Sequence, residues 1–420
     1  MKILFLSHCL PYPPSKGDKV RAYHELRLLS RRHEVHLFAL AKRAEEVGQE
    51  KHLRSMCAEV DVFPIDRRRA RLQTALALLG SKPLSMAYFW NSSLAAGLQK
   101  RTQSVEFDLV LAYSSSMAPY AAGLKGVPRV LDMVDVDSAK WTEYARFHRF
   151  PRSLLYGLEA KRLKNYEKQV GATFERIVVS TKRELETLSR YGVDAQVHVM
   201  RNGVSVDNGD LVPIPKSSSP VLVFSGQMDY FPNVDAVTHF ASGIVPRLRA
   251  RYPDLEFLIV GRAPTPKVMR LRRIPGIIVT GEVPDVRPLL KRSWIFVAPL
   301  RIARGIQNKV LEAMSVGLPV VCSSAVWAGL QDSGISESRD ILVGRDEREF
   351  EEAAGRLLED EAERERLGAN AAARVAESYS WESNIQELDK VLERLISSEL
   401  DYSSSNLSAD SLEEVSLGSA

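Results

Sequence analysis

Gly305, Lys309 and Glu312 stand in the stretch RGIQNKVLEAMSVGLPVV (304–321), which links the apolar runs WIFVAPL and LPVVCSS. A helix starting just after Gly305 and ending near Gly317, with Pro319 beyond, places these three residues on one face at i, i+4 and i+7. Gln307, Val310, Leu311 and Met314 then share the other face and pack on a sheet. A glycine admits a ligand close to the backbone. Free helix N–H groups and the helix dipole attract phosphate, a lysine adds positive charge, and a carboxylate one turn on suits a ribose hydroxyl. In outline this is a nucleotide-diphosphate site. The competing reading of the same spacing is a surface ion pair between Lys309 and Glu312, worth a few tenths of a kcal/mol.

Such a helix needs strands to hold it. In the first half, KILFLSH, EVHLFALA, FDLVLAYSS, PRVLDMV and RIVVST alternate with longer periodic segments such as VRAYHELRLLSRR. In the second half PVLVFSG, LEFLIVGR, GIIVTGE, WIFVAPL and LPVVCSS repeat the arrangement. Short apolar runs between periodic segments predict βα units around buried parallel sheets, two α/β layers in series. A length of 420 residues suits two domains and makes the cleft between them the first place to look for a site. The Gly-, Pro-, Ser- and Asn-rich stretch 202–220 reads as the linker. After Val343 the chain reads as helical to Ile396, with ESYSWE (377–382) as a break and a serine-rich, acidic, disordered tail behind.

A composition of 45% hydrophobic and 26% charged residues, with no apolar run near the roughly 18 residues of a spanning helix, predicts a soluble chain. MKILFLSHCLPYPP reads as a first buried strand and not as a signal peptide. Cys9, Cys57 and Cys322 have no metal-ligand spacing, so neither a disulfide framework nor a metal site is indicated, and a reducing, cytoplasmic setting fits. A net charge of +4 without a basic recognition motif argues against nucleic acid as a partner. The basic residues nevertheless cluster in DRRRARLQTALALLG (66–80) and RFHRFPRSLLYGLEAKRLKNYEK (146–168), among leucine, tyrosine and phenylalanine. That pattern suits an anionic membrane surface or an acidic substrate, and equally a solvated helix face.

NKVLEAMSVGLPVV resembles the nucleotide-binding helix of GT-B glycosyltransferases, specifically the family 4-like (group 1) enzymes. The resemblance runs through most of the chain in family order. PYPPSKGDKVRAYHE (11–25) is similar to their first glycine loop, MRNGV (200–204) to the segment joining their domains, and VFSGQMDYFPNVDAV (223–237) to the glycine loop opening their second domain. LEFLIVGR, IVTGEVPDVRPLL and FVAPLRIARGIQNKVLEAM follow. The motifs together look most like bacterial sugar transferases of exopolysaccharide and exosortase (PEP-CTERM) systems. The resemblance implies a GT-B fold: two Rossmann-like domains facing each other across a cleft, an acceptor-side domain over 1–200, a linker over 201–219 and a nucleotide-sugar domain over 220–376. A helix over 377–396 would cross back to the first domain, ahead of a tail over 397–420.

The implied activity is transfer of a sugar from a nucleotide-diphosphate sugar to a saccharide or lipid-linked saccharide, retaining and metal-independent, with no cofactor. Glu312 would bind ribose, while Lys309 and the backbone of Gly305 and Ile306 would meet the diphosphate. The segment ending in Val283 would face the base. Gly226 and Gly17 would let their loops approach the donor, with Arg21 on the helix behind. Arg262 is a further phosphate candidate or a surface residue, and Asn202 a stabiliser of the hinge or an ordinary turn residue. The chain departs from the pattern at Arg304, where many members carry a first glutamate; Arg304 would clamp the donor phosphate or mark altered donor choice. Val134 stands where many have a histidine, leaving that polar work to Asp135 or Asp137. Rival readings are a non-catalytic nucleotide-sugar or carbohydrate-binding protein, a nucleotide-sugar epimerase, and a GT-A enzyme using Asp135-Val136-Asp137 for manganese. A nicotinamide dehydrogenase would want GxGxxG after a strand, which the sequence lacks.

Overall fold

The computed structural model describes residues 1–14, 17–42, 48–193, 195–204, 214–331 and 334–397. The first half builds a seven-stranded sheet from β1 (Lys2–Ser7), β2 (Glu34–Ala41), β3 (Glu59–Pro64), β4 (Leu109–Tyr113), β5 (Arg129–Val134), β6 (Arg176–Val179) and β7 (Gln196–Val199). The second builds a six-stranded sheet from β8 (Val221–Ser225), β9 (Glu256–Val260), β10 (Ile277–Gly281), β11 (Ile295–Ala298), β12 (Val320–Ser323) and β13 (Leu342–Gly344). Their orders are β3-β2-β1-β4-β5-β6-β7 and β10-β9-β8-β11-β12-β13, with every pairing parallel. Order reverses between β1 and β4 and again between β8 and β11. Each sheet thus opens a crevice at the carboxyl ends of its strands.

Alternation along each strand feeds two core layers. Ile3 and Phe5 of β1 join one buried cluster, and Leu4 and Leu6 join another on the opposite face of the sheet. The first of these clusters also contains Trp381, Ile385, Leu388, Leu392 and Leu395, all on the helix over 381–397 that packs against the Gly17–Leu29 helix. Trp381 stacks on His24 with ring centroids 4.7 Å apart and planes 6° from parallel. Within the linker, residues 205–213 lie outside the described residues, as does the tail from 398 onward.

One buried side chain joins these parts. Arg21, fully buried, pairs through Nε with Asp132 at the end of β5 (2.7 Å) and with Glu25 one turn on (2.9 Å). Its Nη1 donates to the carbonyl of Met200 (2.7 Å) and to Asn202 Oδ1 (3.0 Å), both in the segment between the domains. Burial and the neighbouring Asp132 push the Glu25 carboxyl well above the ordinary range, so the ionic partner of Arg21 is Asp132. Removing one member of a buried pair leaves an uncompensated charge. Arg21→Met should therefore lower stability by about 3–5 kcal/mol in urea unfolding, and Arg21→Met/Asp132→Leu should recover most of the loss. A single variant as stable as wild type would remove this network from its central place.

Candidate active site

The loops that follow β8, β9, β10 and β11 carry Gly226, Gly261-Arg262, Gly281 to Val283 and residues 301–307, so four separate stretches meet at one edge of the second sheet. The nucleotide-site helix is shorter than expected. Gly305 has φ +59°, and Gln307 is extended at φ −85° and ψ 102°, so residues 301–307 stay a loop and only Asn308–Ser315 winds into helix. Gln307 is the residue before the first turn and not part of the packing face; its Nε2 donates to the Arg304 carbonyl at 2.8 Å. Val310, Leu311, Ala313 and Met314 are buried against the sheet. At the far end Gly317 sits at φ +72°, and the N–H groups of Gly317 and Leu318 donate to Met314 and Ala313, both at 3.0 Å. This doubly bonded stop uses the freedom of glycine to end the helix.

No side chain of Gln307 caps the Asn308–Ser315 helix, which leaves its first amides and the positive end of its dipole to an outside acceptor. The Gly17–Leu29 helix of the first domain begins opposite: a Cβ added at Gly17 would lie 4.0 Å from Nδ2 of Asn308. Two helix N-termini therefore face each other across the cleft, an arrangement suited to a diphosphate.

Lys309 and Glu312 occupy the flank of this position. Lys309 Nζ donates to Asn233 Oδ1 at 2.5 Å and sits 4.4 Å from the centroid of the Phe224 ring. Gly226 sits at φ +154°, and a Cβ there would come within 2.8 Å of Asn233 Nδ2 and 2.9 Å of that ammonium, so glycine suits the loop after β8. Burial pushes Lys309 down to about 7, against the raising influence of Glu312. Burial likewise pushes Glu312 up to about 7, with Lys309 opposing and Asp285 assisting. Neither is the solvated group that a surface ion pair requires.

Other residues singled out in the sequence fall into distinct places. Arg262 is half-buried and donates through Nη2 to Gln227 Oε1 at 3.3 Å. Val283 packs partly buried on the second core, and the Ile306 side chain lies within that core, so what Ile306 offers a ligand is its backbone. Val134 is held at φ +65°, unfavourable for a β-branched residue, and turns the chain so that Asp135 reaches across the cleft to the Gly305 backbone. Asp135 Oδ1 accepts from Ser180 Oγ at 2.7 Å, whereas Asp137 Oδ2 accepts from Ser115 Oγ at 3.4 Å. The two aspartates thus have separate hydrogen-bond partners.

One expectation needs correction. Arg21 does not meet the donor: it is buried beneath the cleft, its guanidinium taken up by Asp132, Glu25, Met200 and Asn202. Arg304 turns towards the first domain, where Glu143 (2.9 Å) and Glu184 (3.5 Å) attract it. Glu184 is itself pushed up to about 7 by burial and by Asp135, against the pull of Arg304.

The structure also adds residues that sequence reasoning missed. Asn308 accepts from Asn202 Nδ2 at 3.1 Å, tying the interdomain segment to the nucleotide-site helix. Lys140 is held well above the usual lysine range by Tyr230, and by Asp137, Asp135 and Asp18, in spite of burial. Its signal was the spacing of Asp137, Lys140 and Tyr144 on one helix face, the last of which donates to Tyr230 of the second domain at 2.9 Å. Asp18, next to Gly17, is pushed up by burial yet held well below the carboxylate range by hydrogen bonding to His8 and by the Lys42 ammonium.

Comparison with known proteins matches residues 17–208 to the Glycosyltransferase Family 4 model and residues 219–360 to the Glycosyl transferases group 1 model. A lipopolysaccharide core biosynthesis mannosyltransferase of Rhizobium meliloti is 26% identical over 168 residues, covering 37% of this chain and 47% of that protein. An uncharacterized glycosyltransferase of Methanocaldococcus jannaschii is 27% identical over 124 residues, 29% of this chain and 31% of its own length. The match thus spans less than half of either curated relative. Among solved structures, Anabaena HepE in complex with UDP superposes with TM-score 0.65 at 15% identity, covering 94% of this chain and all of that one. Sucrose-phosphate synthase from Thermosynechococcus elongatus gives 0.70 at 13% identity, covering 95% of this chain and all of that one. The fold is two parallel-sheet α/β domains of the GT-B type.

The two shifted groups set a proton balance. Binding a nucleoside diphosphate at about pH 8 should take up protons, because the phosphates return Lys309 to its cation. At about pH 6 binding should release them, because a ribose hydroxyl is best met by ionised Glu312. Titration calorimetry in buffers of different ionisation enthalpy reads both signs; heats that ignore the buffer at both pH values would remove the two residues from the site.

Proposed function

We propose that this chain, a Family 4 glycosyltransferase domain followed by a group 1 glycosyltransferase domain, transfers a sugar from a nucleoside-diphosphate sugar to a saccharide acceptor. The observation that carries the reading is the opposition of two helix N-termini, at Gly17 and Asn308, with the half-buried Lys309 and Glu312 beside them. Negative charge grows on the departing diphosphate while the sugar becomes oxocarbenium-like. Fixed amides, helix dipoles and the Lys309 ammonium stabilise that charge most where it develops. In this reading Glu312 holds the ribose, the backbone of Gly305 and Ile306 meets the phosphates, and Asp135 stands over the reacting sugar. Charge is neutralised without a metal, and attack from the face of the leaving group retains the anomeric configuration. Solved HepE binds UDP, UDP-glucose and glucose, which supports a nucleotide-sugar donor here. Both family matches are to transferases and do not favour the epimerase or the non-catalytic reading.

The acceptor in this proposal is a lipid-linked saccharide of exopolysaccharide assembly, met at the cytoplasmic face of a membrane. Among the described residues no helix is long and apolar enough to cross a membrane. Surface contact is supported by exposed Leu72, Leu76 and Leu79 beside exposed Arg67, Arg68, Arg69 and Arg71, and by Phe150 and Leu154 on the neighbouring segment. Arg162 fastens the two segments by donating to the carbonyls of Ala77 (2.9 Å) and Leu78 (3.1 Å). The name of the Rhizobium relative, a lipopolysaccharide core biosynthesis mannosyltransferase, supports a saccharide acceptor of this class.

Thermal unfolding with UDP, GDP, ADP and their sugar conjugates tests the donor site, since a ligand at about 100 times its Kd adds about 2.7 kcal/mol. One nucleotide should raise the midpoint of the wild type, and Glu312→Ala should weaken its binding by about 1–3 kcal/mol, the worth of a charged hydrogen bond. No shift with any nucleotide would overturn the reading. In flotation, vesicles of anionic phospholipid should carry the wild type upward and leave Leu76→Glu/Leu79→Glu behind; equal flotation of both defeats the membrane contact.

A further inference from the structure

Beside the donor site lies a cavity of about 380 Å³ lined by Arg146, Lys164, Arg183, Arg190 and Arg304, with Glu143 as its one lining carboxylate. The volume falls in the range of small-molecule sites. The cations come from three helices of the first domain, Asp137–Phe147, Arg152–Gly171 and Lys182–Tyr191, and from the loop before the nucleotide-site helix of the second. Cations on a solvated helix face diverge into water, whereas these converge on one concavity. Several are held in place. Arg190 Nη2 donates to Thr187 Oγ1 at 3.3 Å, and Lys164 Nζ lies 4.4 Å above the Tyr191 ring. Glu143 is shared, 2.9 Å from Arg304 and 3.6 Å from Arg183, so one carboxylate serves two guanidinium groups. Arg183 is pushed below the usual arginine range by burial and by Arg304.

We infer that this cavity binds the phosphate or carboxylate group of a second ligand, distinct from the donor diphosphate, between the two domains. Planar guanidinium groups recognise such oxyanions bidentately, and the surplus of cations over carboxylates here is what an incoming anion relieves. Arg304 comes from the second domain and the remaining cations from the first, so an anion in the cavity bridges the seam and favours the closed arrangement. The same chemistry fits two sources: an acidic group of the saccharide acceptor, or a small phosphorylated effector.

The test uses the full chain, with inorganic phosphate, glucose 6-phosphate and neutral glucose as probes, followed by calorimetry. Lys164→Gln/Arg190→Gln removes two exposed lining cations without touching the donor site, and Glu312→Ala serves as the donor-site control. Phosphate and the sugar phosphate should bind wild type and Glu312→Ala alike, and bind the double variant about tenfold or more weakly. Glucose should not bind. Equal binding by wild type and the double variant, or none up to tens of millimolar, overturns the inference. This arm needs no turnover and is independent of the proposed transferase activity. In a transfer assay, phosphate that raises the acceptor KM at unchanged kcat assigns the site to the acceptor's own acid group, and phosphate that changes kcat at unchanged KM assigns it to an effector.

Discussion

The Arg21–Asp132 pair is the constraint on which the site depends. A guanidinium and a carboxylate at 2.7 Å, without access to water, hold the start of the Gly17–Leu29 helix against the end of β5. Both ends of that contact are functional edges: the helix begins at Gly17, and β5 runs on through Val134 to Asp135. The same guanidinium binds Met200 and Asn202, and Asn202 in turn binds Asn308. Three bonds therefore lead from the floor of the first domain to the first residue of the nucleotide-site helix in the second. An exposed arginine pair contributes little, and a buried one, here with Arg21 Nη2 and Glu25 Oε2 left without partners, specifies geometry at the cost of desolvation.

A second consequence concerns charge. Lys309 and Glu312 are both driven towards neutrality by burial, although they lie in the same cleft. Such half-buried groups are partly stripped of water, and a phosphate or a ribose would restore the charged forms on arrival. The glycines serve this end. Gly226 leaves room for Lys309, and Gly305, at φ +59°, leaves room for Asp135 from the opposite domain. Backbone freedom at these two points is what allows charged groups from two domains to approach so closely.

How much of this was legible follows from burial. Every strand announced by an apolar run is present, and the three that no run announced, β3, β7 and β13, all lie at sheet edges. β3 and β7 are half-exposed along their length, and β13 has only three residues, so none presents the continuous apolar signal of a strand covered on both faces. Gly305, Lys309 and Glu312 were visible because they share one short segment. Arg21 was visible as a residue but not in its role, since nothing local shows that Asp132, 111 positions away, sits beneath it. The partners of Arg304, Glu143 and Glu184, were hidden for the same reason: they belong to the other domain. Lys140 and Asn233 escaped because their significance lies in long-range contacts.

The seam itself is polar and aromatic, not a continuous hydrophobic core. Tyr144 bonds Tyr230, His148 lies 4.3 Å from the Phe231 ring, and Arg301 sits 5.6 Å from the Phe147 ring. Contacts of this kind contribute about 0.5–1.5 kcal/mol each and form without burying large apolar area. The two domains have separate cores, one in the second half and two layers in the first, joined by the 381–397 helix and the Asn202 hinge. A boundary held by modest, reversible contacts between rigid cores can open to admit a donor and close to exclude water. The placement of Arg304 fits that logic: among the described residues this cation at the loop tip pairs with Glu143 and Glu184 across the seam.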